Sequence, residues 1–119
     1  MDSPFPLLNP ELLEQLRCMG SGAGSPLESV VELFASTTPP ILASLRGALV
    51  ASDWKQLDRQ SHFLKGSCGS LGAERMAHHC EELRHAAEQQ DAAAAARWLA
   101  DLEAGFEAVK PLLDAELRR

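Results

Sequence analysis

Apolar and small side chains in the middle of the chain recur at alternating steps of four and three residues. The positions are Leu57, Ser61, Leu64, Cys68 and Leu71. Residues three and four apart share one face of an α-helix, whereas a half-buried strand needs strict alternation. The spacing therefore predicts an amphipathic helix that turns this face towards a core.

Capping residues divide the rest of the chain. Residues 9–11 (Asn-Pro-Glu) predict a short first helix from about Pro10 to Cys18. The glycine-rich residues 20–24 predict a loop after it. Residues 25–28 (Ser-Pro-Leu-Glu) form a capping box, which predicts the start of a long second helix.

The third helix is the one with the central stripe; residues 52–53 cap it and Gly72 ends it. A fourth helix starts near Ala73, and residues 89–91 form the turn into a fifth. Residues 39–40, both proline, predict a kink in the second helix, but its stripe keeps its phase across them and favours one kinked rod. The predicted stripes of the second, fourth and fifth helices are Val30, Phe34, Thr37, Ile41, Leu45 and Ala48; Met76, Cys80, Leu83 and Ala87; and Ala95, Leu99, Leu102, Phe106, Val109 and Leu113.

Four long amphipathic helices with short connections predict an all-α fold, an antiparallel up-down-up-down four-helix bundle. We expect residues 1–119 to form a single domain, with the bundle at about 26–117 and the short helix at about 10–18 across one end. Composition agrees: the chain is 45% apolar but only 5% aromatic and has no tyrosine, unlike a β-sandwich.

The net charge and the cysteine content limit which binding partners and which cellular compartment we expect. A net charge of −6 argues against nucleic acid or an anionic membrane as a partner. No apolar run approaches the roughly 18 residues that span a bilayer. Three cysteines at uneven spacing do not form a disulfide framework, so we expect a reducing cytoplasm.

The outward face of the third helix carries the residues that suggest a function. With about 100° per residue, His62 falls about 160° around the helix from Leu64 and is predicted to be exposed. A solvated imidazole is partly neutral near pH 7 and is then a nucleophile. Its neighbours on this face are Lys55, Asp58, Arg59, Lys65, Gly66 and Gly69.

Two glycines on this face need an explanation, because each costs a helix interior about 1 kcal/mol relative to alanine. Gly66 and Gly69 lie one and two turns after His62. Their missing side chains open an approach for a docked protein. Lys65, three residues after His62, can reach back towards it and offset the roughly −1.5 to −2 charge of a phosphoryl group.

Other readings of the polar residues are less specific. A lone histidine on a helix surface is usually an ordinary surface residue. The adjacent His78 and His79 point about 100° apart and cannot converge on one metal ion, so no metal site is predicted. Cys68 and Cys80 face the core as reduced thiols, and the chain lacks a phosphate-binding loop for ATP.

The segment from His62 to Ala73 resembles the signature of histidine-containing phosphotransfer (HPt) domains of two-component phosphorelays. The matching positions are His62, Leu64, Lys65, Gly66, Ser67, Leu71, Gly72 and Ala73. The likeness extends from about Leu27 to Leu113 and includes Asp53, Trp54, Cys80 and Leu83. It implies a four-helix bundle whose exposed histidine, here His62, takes a phosphoryl group from a receiver-domain aspartate and returns it to another.

The resemblance also implies what the chain does not supply. It implies a phosphocarrier with no kinase activity and no cofactor of its own, because Mg²⁺ and most of the catalytic apparatus belong to the receiver domain. Expected partners are the receiver domains of response regulators and of a hybrid sensor kinase, and we expect a monomer. Phe63 is a candidate apolar docking contact, or else packs partly against a neighbour.

Three positions depart from the family pattern. Ser61 stands where alanine is usual, and Cys68 where serine or alanine is common. Arg84 stands where many members carry a glutamine or glutamate that orients the imidazole, so it is predicted either to leave His62 without that partner or to pair with the phosphoryl group. The rival function is a helical adaptor that binds a signalling partner and is never phosphorylated.

Overall fold

The computed structural model describes residues 4–20 and 22–119. Residues 1–3, at the start of the predicted domain, and Ser21, in the predicted glycine-rich loop, lie outside the described residues. The described part is all-helical, as predicted. Its elements are α1 (Pro10–Cys18), α2 (Pro26–Val50), α3 (Trp54–Leu71), α4 (Glu74–Glu88) and α5 (Ala92–Leu117).

Side-chain caps fix where four of these helices begin. Asn9 accepts hydrogen bonds from the first backbone amides of α1, Ser25 from the Glu28 amide of α2, and Asp53 and Asp91 cap α3 and α5 in the same way. These are the orphan amides that a helix cannot satisfy internally. Ala73 precedes α4 without a side-chain cap.

The four long helices form a ring in which α3 packs against α2 and α4, and α5 packs against α4 and α2. The connections at 51–53, 72–73 and 89–91 are two or three residues long, so successive helices run antiparallel. The short α1 packs against α2. This is the predicted up-down-up-down bundle with an additional N-terminal helix.

The predicted buried stripes of α3, α4 and α5 are confirmed at every position. In α2 the prediction is wrong at two positions, because Val31 and Thr38 are buried while Val30 and Thr37 are only partly buried. Val30 with Thr37 and Val31 with Thr38 both have helical spacing, so only the positions of the neighbouring helices decide which pair is buried. Burial of His79 on α4 was not predicted.

The second helix passes through both prolines without a break, which confirms that it is a single rod, while the predicted kink stays a prediction. The fifth helix likewise continues past Pro111 to Leu117. No helix in the described ranges is both long enough and apolar enough to cross a membrane.

Candidate functional site

His62 lies near the middle of α3 with its side chain exposed, as predicted. The helix is held in this orientation by its opposite face, where Leu57 and Leu64 are fully buried. Ser61, beside the histidine, is also fully buried and donates its hydroxyl to the Leu57 carbonyl at 2.7 Å. Within the described residues, nothing hydrogen-bonds the His62 imidazole, so both ring nitrogens are open to a partner.

The surface next to His62 is open on its C-terminal side. A Cβ atom added at Gly66 or Gly69 would meet no neighbouring atom of the described chain within 4 Å. Packing inside the molecule therefore does not require glycine at either position. Gly72 differs, because a Cβ there would lie 2.7 Å from the Asn9 Cβ atom and its φ is +76°.

Lys65 makes no hydrogen bond with His62 in the structure, although the sequence placed it within reach. Its ammonium lies 3.0 Å from a carboxylate oxygen of Glu81 on α4. The predicted role of Lys65 in stabilising a phosphoryl group stays a prediction. Glu81 was missed by the sequence analysis, because the reach between two helices depends on their packing.

Arg84 lies beside the same pair and joins it to α3. Its Nε atom donates to Asp58 at 3.0 Å, and its Nη1 atom donates to Glu81 at 3.0 Å. The four side chains Lys65, Glu81, Arg84 and Asp58 form an alternating chain of charges, which we call the α3–α4 charge chain. Arg84 thus binds two carboxylates and, among the described residues, does not orient the imidazole.

The α3–α4 charge chain shifts the pKa values of two of its members, and each shift favours the ionised side chain. The hydrogen bond from Lys65 lowers the pKa of Glu81, and the charges of Lys65 and Arg84 lower it further. The hydrogen bond to Asp58 raises the pKa of Arg84. Two cations face two anions, so this side of the site is close to neutral before any phosphoryl group arrives.

The opposite side of His62 is apolar. Phe63 is 62% exposed and Leu33, on α2, is 64% exposed. They border a groove of about 150 Å³ between α2 and α3, whose other lining residues are Val30, Phe34, Thr37, Ser67 and Ser70. The part that Leu33 plays in this groove was not predicted, since Leu33 lies outside the predicted stripe of α2.

The remaining predicted binding residues lie on the N-terminal side of His62. Lys55 and Arg59 are exposed on α3, two turns and one turn before the histidine. The structure thus brings the predicted α3 residues to one face, with Arg84 attached through Asp58.

Metal and thiol sites away from His62 depend on where the histidines, acidic residues and cysteines lie in the fold. In residues 4–20 and 22–119, no three histidine, cysteine or acidic side chains are grouped as metal ligands. Cys68 and Cys80 are fully buried free thiols, as predicted. Contact with the Cys68 thiol, together with burial, raises the pKa of Cys80 well above its usual range, so the Cys80 thiol stays un-ionised.

Comparison with known proteins identifies the family. The sequence model of the Hpt domain matches residues 29–112. The chain belongs to the Hpt domain family. It is 34% identical over 90 residues to histidine-containing phosphotransfer protein 1 of Arabidopsis thaliana, an alignment that covers 74% of this chain and 58% of that relative. The chain therefore spans less than two thirds of this curated Hpt relative.

Solved structures agree with the bundle. Histidine-containing phosphotransfer protein B of Pseudomonas aeruginosa superposes with a TM-score of 0.85 at 26% identity, covering 96% of each chain. The Medicago truncatula protein MtHPt2 gives 0.76 at 28% identity and covers 94% of this chain and 75% of its own. A maize relative, ZmHP2, has a TM-score of 0.81 at 24% identity over 94% of this chain and 83% of its own, and supports the Hpt fold alone.

Proposed function

We propose that this Hpt domain carries a phosphoryl group on His62 and passes it between the aspartates of receiver domains. The observation that carries the proposal is the exposed imidazole in the middle of α3, beside two glycines that packing does not require. A structural helix gains nothing from those glycines, whereas a partner that must reach His62 does.

The chemistry needs only a neutral imidazole and an activated phosphoryl donor. A ring nitrogen of His62 attacks the phosphorus of an aspartyl phosphate and forms an N–P bond. The P–O bond to the receiver's carboxylate breaks, and the carboxylate leaves with the electron pair. The ring keeps the proton of its other nitrogen or releases it to water. The reverse step returns the group to a second receiver aspartate.

The residues on each side of His62 then have different roles in transfer. Lys65 lies one turn after His62 and supplies positive charge for a phosphoryl group of roughly −1.5 to −2. The apolar groove at Phe63 and Leu33 offers the buried contact of a docked receiver. Gly66 and Gly69 let the partner's backbone approach the ring.

The partners we propose are receiver domains of response regulators and of a hybrid sensor kinase. We expect the receiver to bring the Mg²⁺ ion, because the described part of this chain groups no acidic ligands for one. A reducing cytoplasm suits the three free cysteines. A monomer is supported by the scatter of the other exposed apolar side chains, such as Met19, Val50 and Leu112, over separate elements.

The test is phosphoryl transfer from phosphorylated receiver domains to the wild type and to His62→Gln. We expect acid-labile, base-stable label on the wild type and none on His62→Gln. His85→Gln removes another exposed histidine, from α4, and is the matched control that keeps its label. If no receiver in a broad panel labels the wild type, yet some bind it, the non-phosphorylated adaptor is the better function.

A further inference from the structure

One of the two α3 cations that lie three residues from His62 is already bound to a carboxylate. Lys65 lies one turn after His62, but its ammonium is 3.0 Å from Glu81 on the neighbouring helix. The Lys65 side chain is 41% exposed and that of Glu81 is 29% exposed. An ion pair with this much contact with water is weak and can be exchanged for a stronger partner.

Glu81 does not depend on Lys65 alone. Its other carboxylate oxygen accepts a hydrogen bond from Arg84 at 3.0 Å, and Arg84 is itself anchored by Asp58 at 3.0 Å on α3. If Lys65 leaves, Glu81 therefore keeps a cationic partner that is fixed in place. Without Arg84, the departure of Lys65 would leave an unpaired carboxylate beside a newly formed anion.

A phosphoryl group on His62 competes directly for the lysine. It carries roughly −1.5 to −2 charge, compared with −1 for the carboxylate, and it is three residues away on the same helix. The lysine ammonium is a point charge on a flexible stem, so it can turn from one anion to another, whereas the planar arginine fork stays on its two carboxylates.

We infer that Glu81 is a positioning residue that holds Lys65 away from unphosphorylated His62. Phosphorylation then moves Lys65 from Glu81 to the phosphoryl group, while Arg84 stays bound to Glu81. This inference rests on the proposed function of His62. It makes Glu81 a determinant of how strongly the chain retains its phosphoryl group, because the ion pair with Lys65 stabilises only the unphosphorylated state.

The experiment measures the equilibrium of phosphoryl exchange between a phosphorylated receiver domain and the chain. Glu81→Gln keeps the side-chain shape but removes the charge, and we expect it to shift the equilibrium towards the phosphorylated chain by about two- to five-fold, the range of an exposed ion pair. Glu82→Gln is the matched control on α4, since Glu82 makes no ion pair with any described residue, and it should leave the equilibrium unchanged.

A background without the Lys65 ammonium distinguishes exchange of the lysine between two anions from simple repulsion by Glu81. In Lys65→Ala, the exchange model expects Glu81→Gln to shift the equilibrium by less than half of its effect in the wild type. A shift of equal size in both backgrounds would show that Glu81 acts by its own charge and would overturn the inference. Urea unfolding of each variant confirms that the folded state is retained.

The outcome for Glu81 is distinguishable from that for His62. Absence of label on wild-type His62 with every receiver contradicts the proposed function itself. Label on His62 with equal equilibria for the wild type and Glu81→Gln leaves the proposed function intact and rejects only the role of Glu81.

Discussion

His62 is exposed because two of its neighbours in sequence are buried in the core on the opposite face of α3. Ser61 and Leu64 are fully buried, and together they fix the rotation of α3 about its axis. Exposure of His62 therefore follows from burial on the other face. The glycines that follow it are the unusual choice, since neither has a structural need for a missing side chain.

Replacing Gly69 by alanine should separate stability from transfer. Alanine fits into open space there, so we expect the free energy of unfolding to rise by about 1 kcal/mol. Phosphoryl transfer from a receiver should slow, because the added methyl group lies on the face that we propose for docking. Urea denaturation and a transfer time course are the two measurements.

Gly47 provides the matched control for this prediction. It is an exposed glycine inside α2, with the same open space around an added Cβ atom. Gly47→Ala should stabilise by a similar amount and leave transfer unchanged. Equal transfer rates for Gly69→Ala and the wild type would remove the docking explanation for that glycine.

At the scale of the element, the C-terminal end of α3 is fixed by Gly72. Gly72 takes a left-handed conformation with φ of +76°, and its amide bonds to the carbonyls of the last turn. Its own carbonyl accepts the amide of Asn9 at 2.8 Å, so the same residue ends α3 and anchors the start of α1. Asn9 also caps α1 with its side chain.

Gly72→Ala should therefore be far more damaging than a change at an unconstrained left-handed glycine. The conformation costs a side chain about 1 kcal/mol, and the clash with Asn9 raises the expected loss to about 3 kcal/mol. Gly24 has a φ of +79° and open space, so Gly24→Ala should lose about 1 kcal/mol. Equal losses in thermal or urea unfolding would mean that the contact with Asn9 yields freely.

At the scale of the whole molecule, His79 marks where α4 and α5 meet. It is only 9% exposed, and its Nδ1 atom has no hydrogen-bond partner among the described residues. Gly105 of α5 lies against the ring, since a Cβ there would be in ordinary contact with Nδ1 at 3.9 Å and closer to the Met76 side chain, at 3.2 Å. Trp98 packs against the ring with the centroids 5.8 Å apart.

Burial should make the stability of the bundle depend on pH through this residue. Desolvation lowers the pKa of His79, outweighing the opposite effect of the Asp101 charge, while His78 and Arg75 lower it further. The unfolded chain, whose histidines titrate near 6.5, then binds a proton before the folded chain does. The contribution of His79 is fully present above about pH 6.5 and is lost as pH falls from there through its lower folded pKa.

Urea unfolding at about pH 7.5 and about pH 5.5 measures this loss. We expect the wild type to lose more stability on acidification than His79→Gln, which has no imidazole at this position. His85→Gln controls for the loss of an exposed histidine from the same helix. An identical loss in the wild type and His79→Gln would place the acid sensitivity elsewhere.

The sequence by itself determined the five helices, the caps of the first three, most of the buried stripes and the exposure of His62. These features depend on periodicity and local hydrogen bonding, which act within a few residues. It also determined the open face at Gly66 and Gly69, because residues three and four apart lie together on any helix.

Only the tertiary structure decided which helices face one another. That choice buried Val31 and Thr38 in place of Val30 and Thr37, joined Lys65 to Glu81, and placed Leu33 beside Phe63. Helical spacing allows either residue of such neighbouring pairs to face a core, and the partner of a long charged side chain depends on distances between helices. Packing of the four helices into one ring selects among the arrangements that helical spacing alone allows.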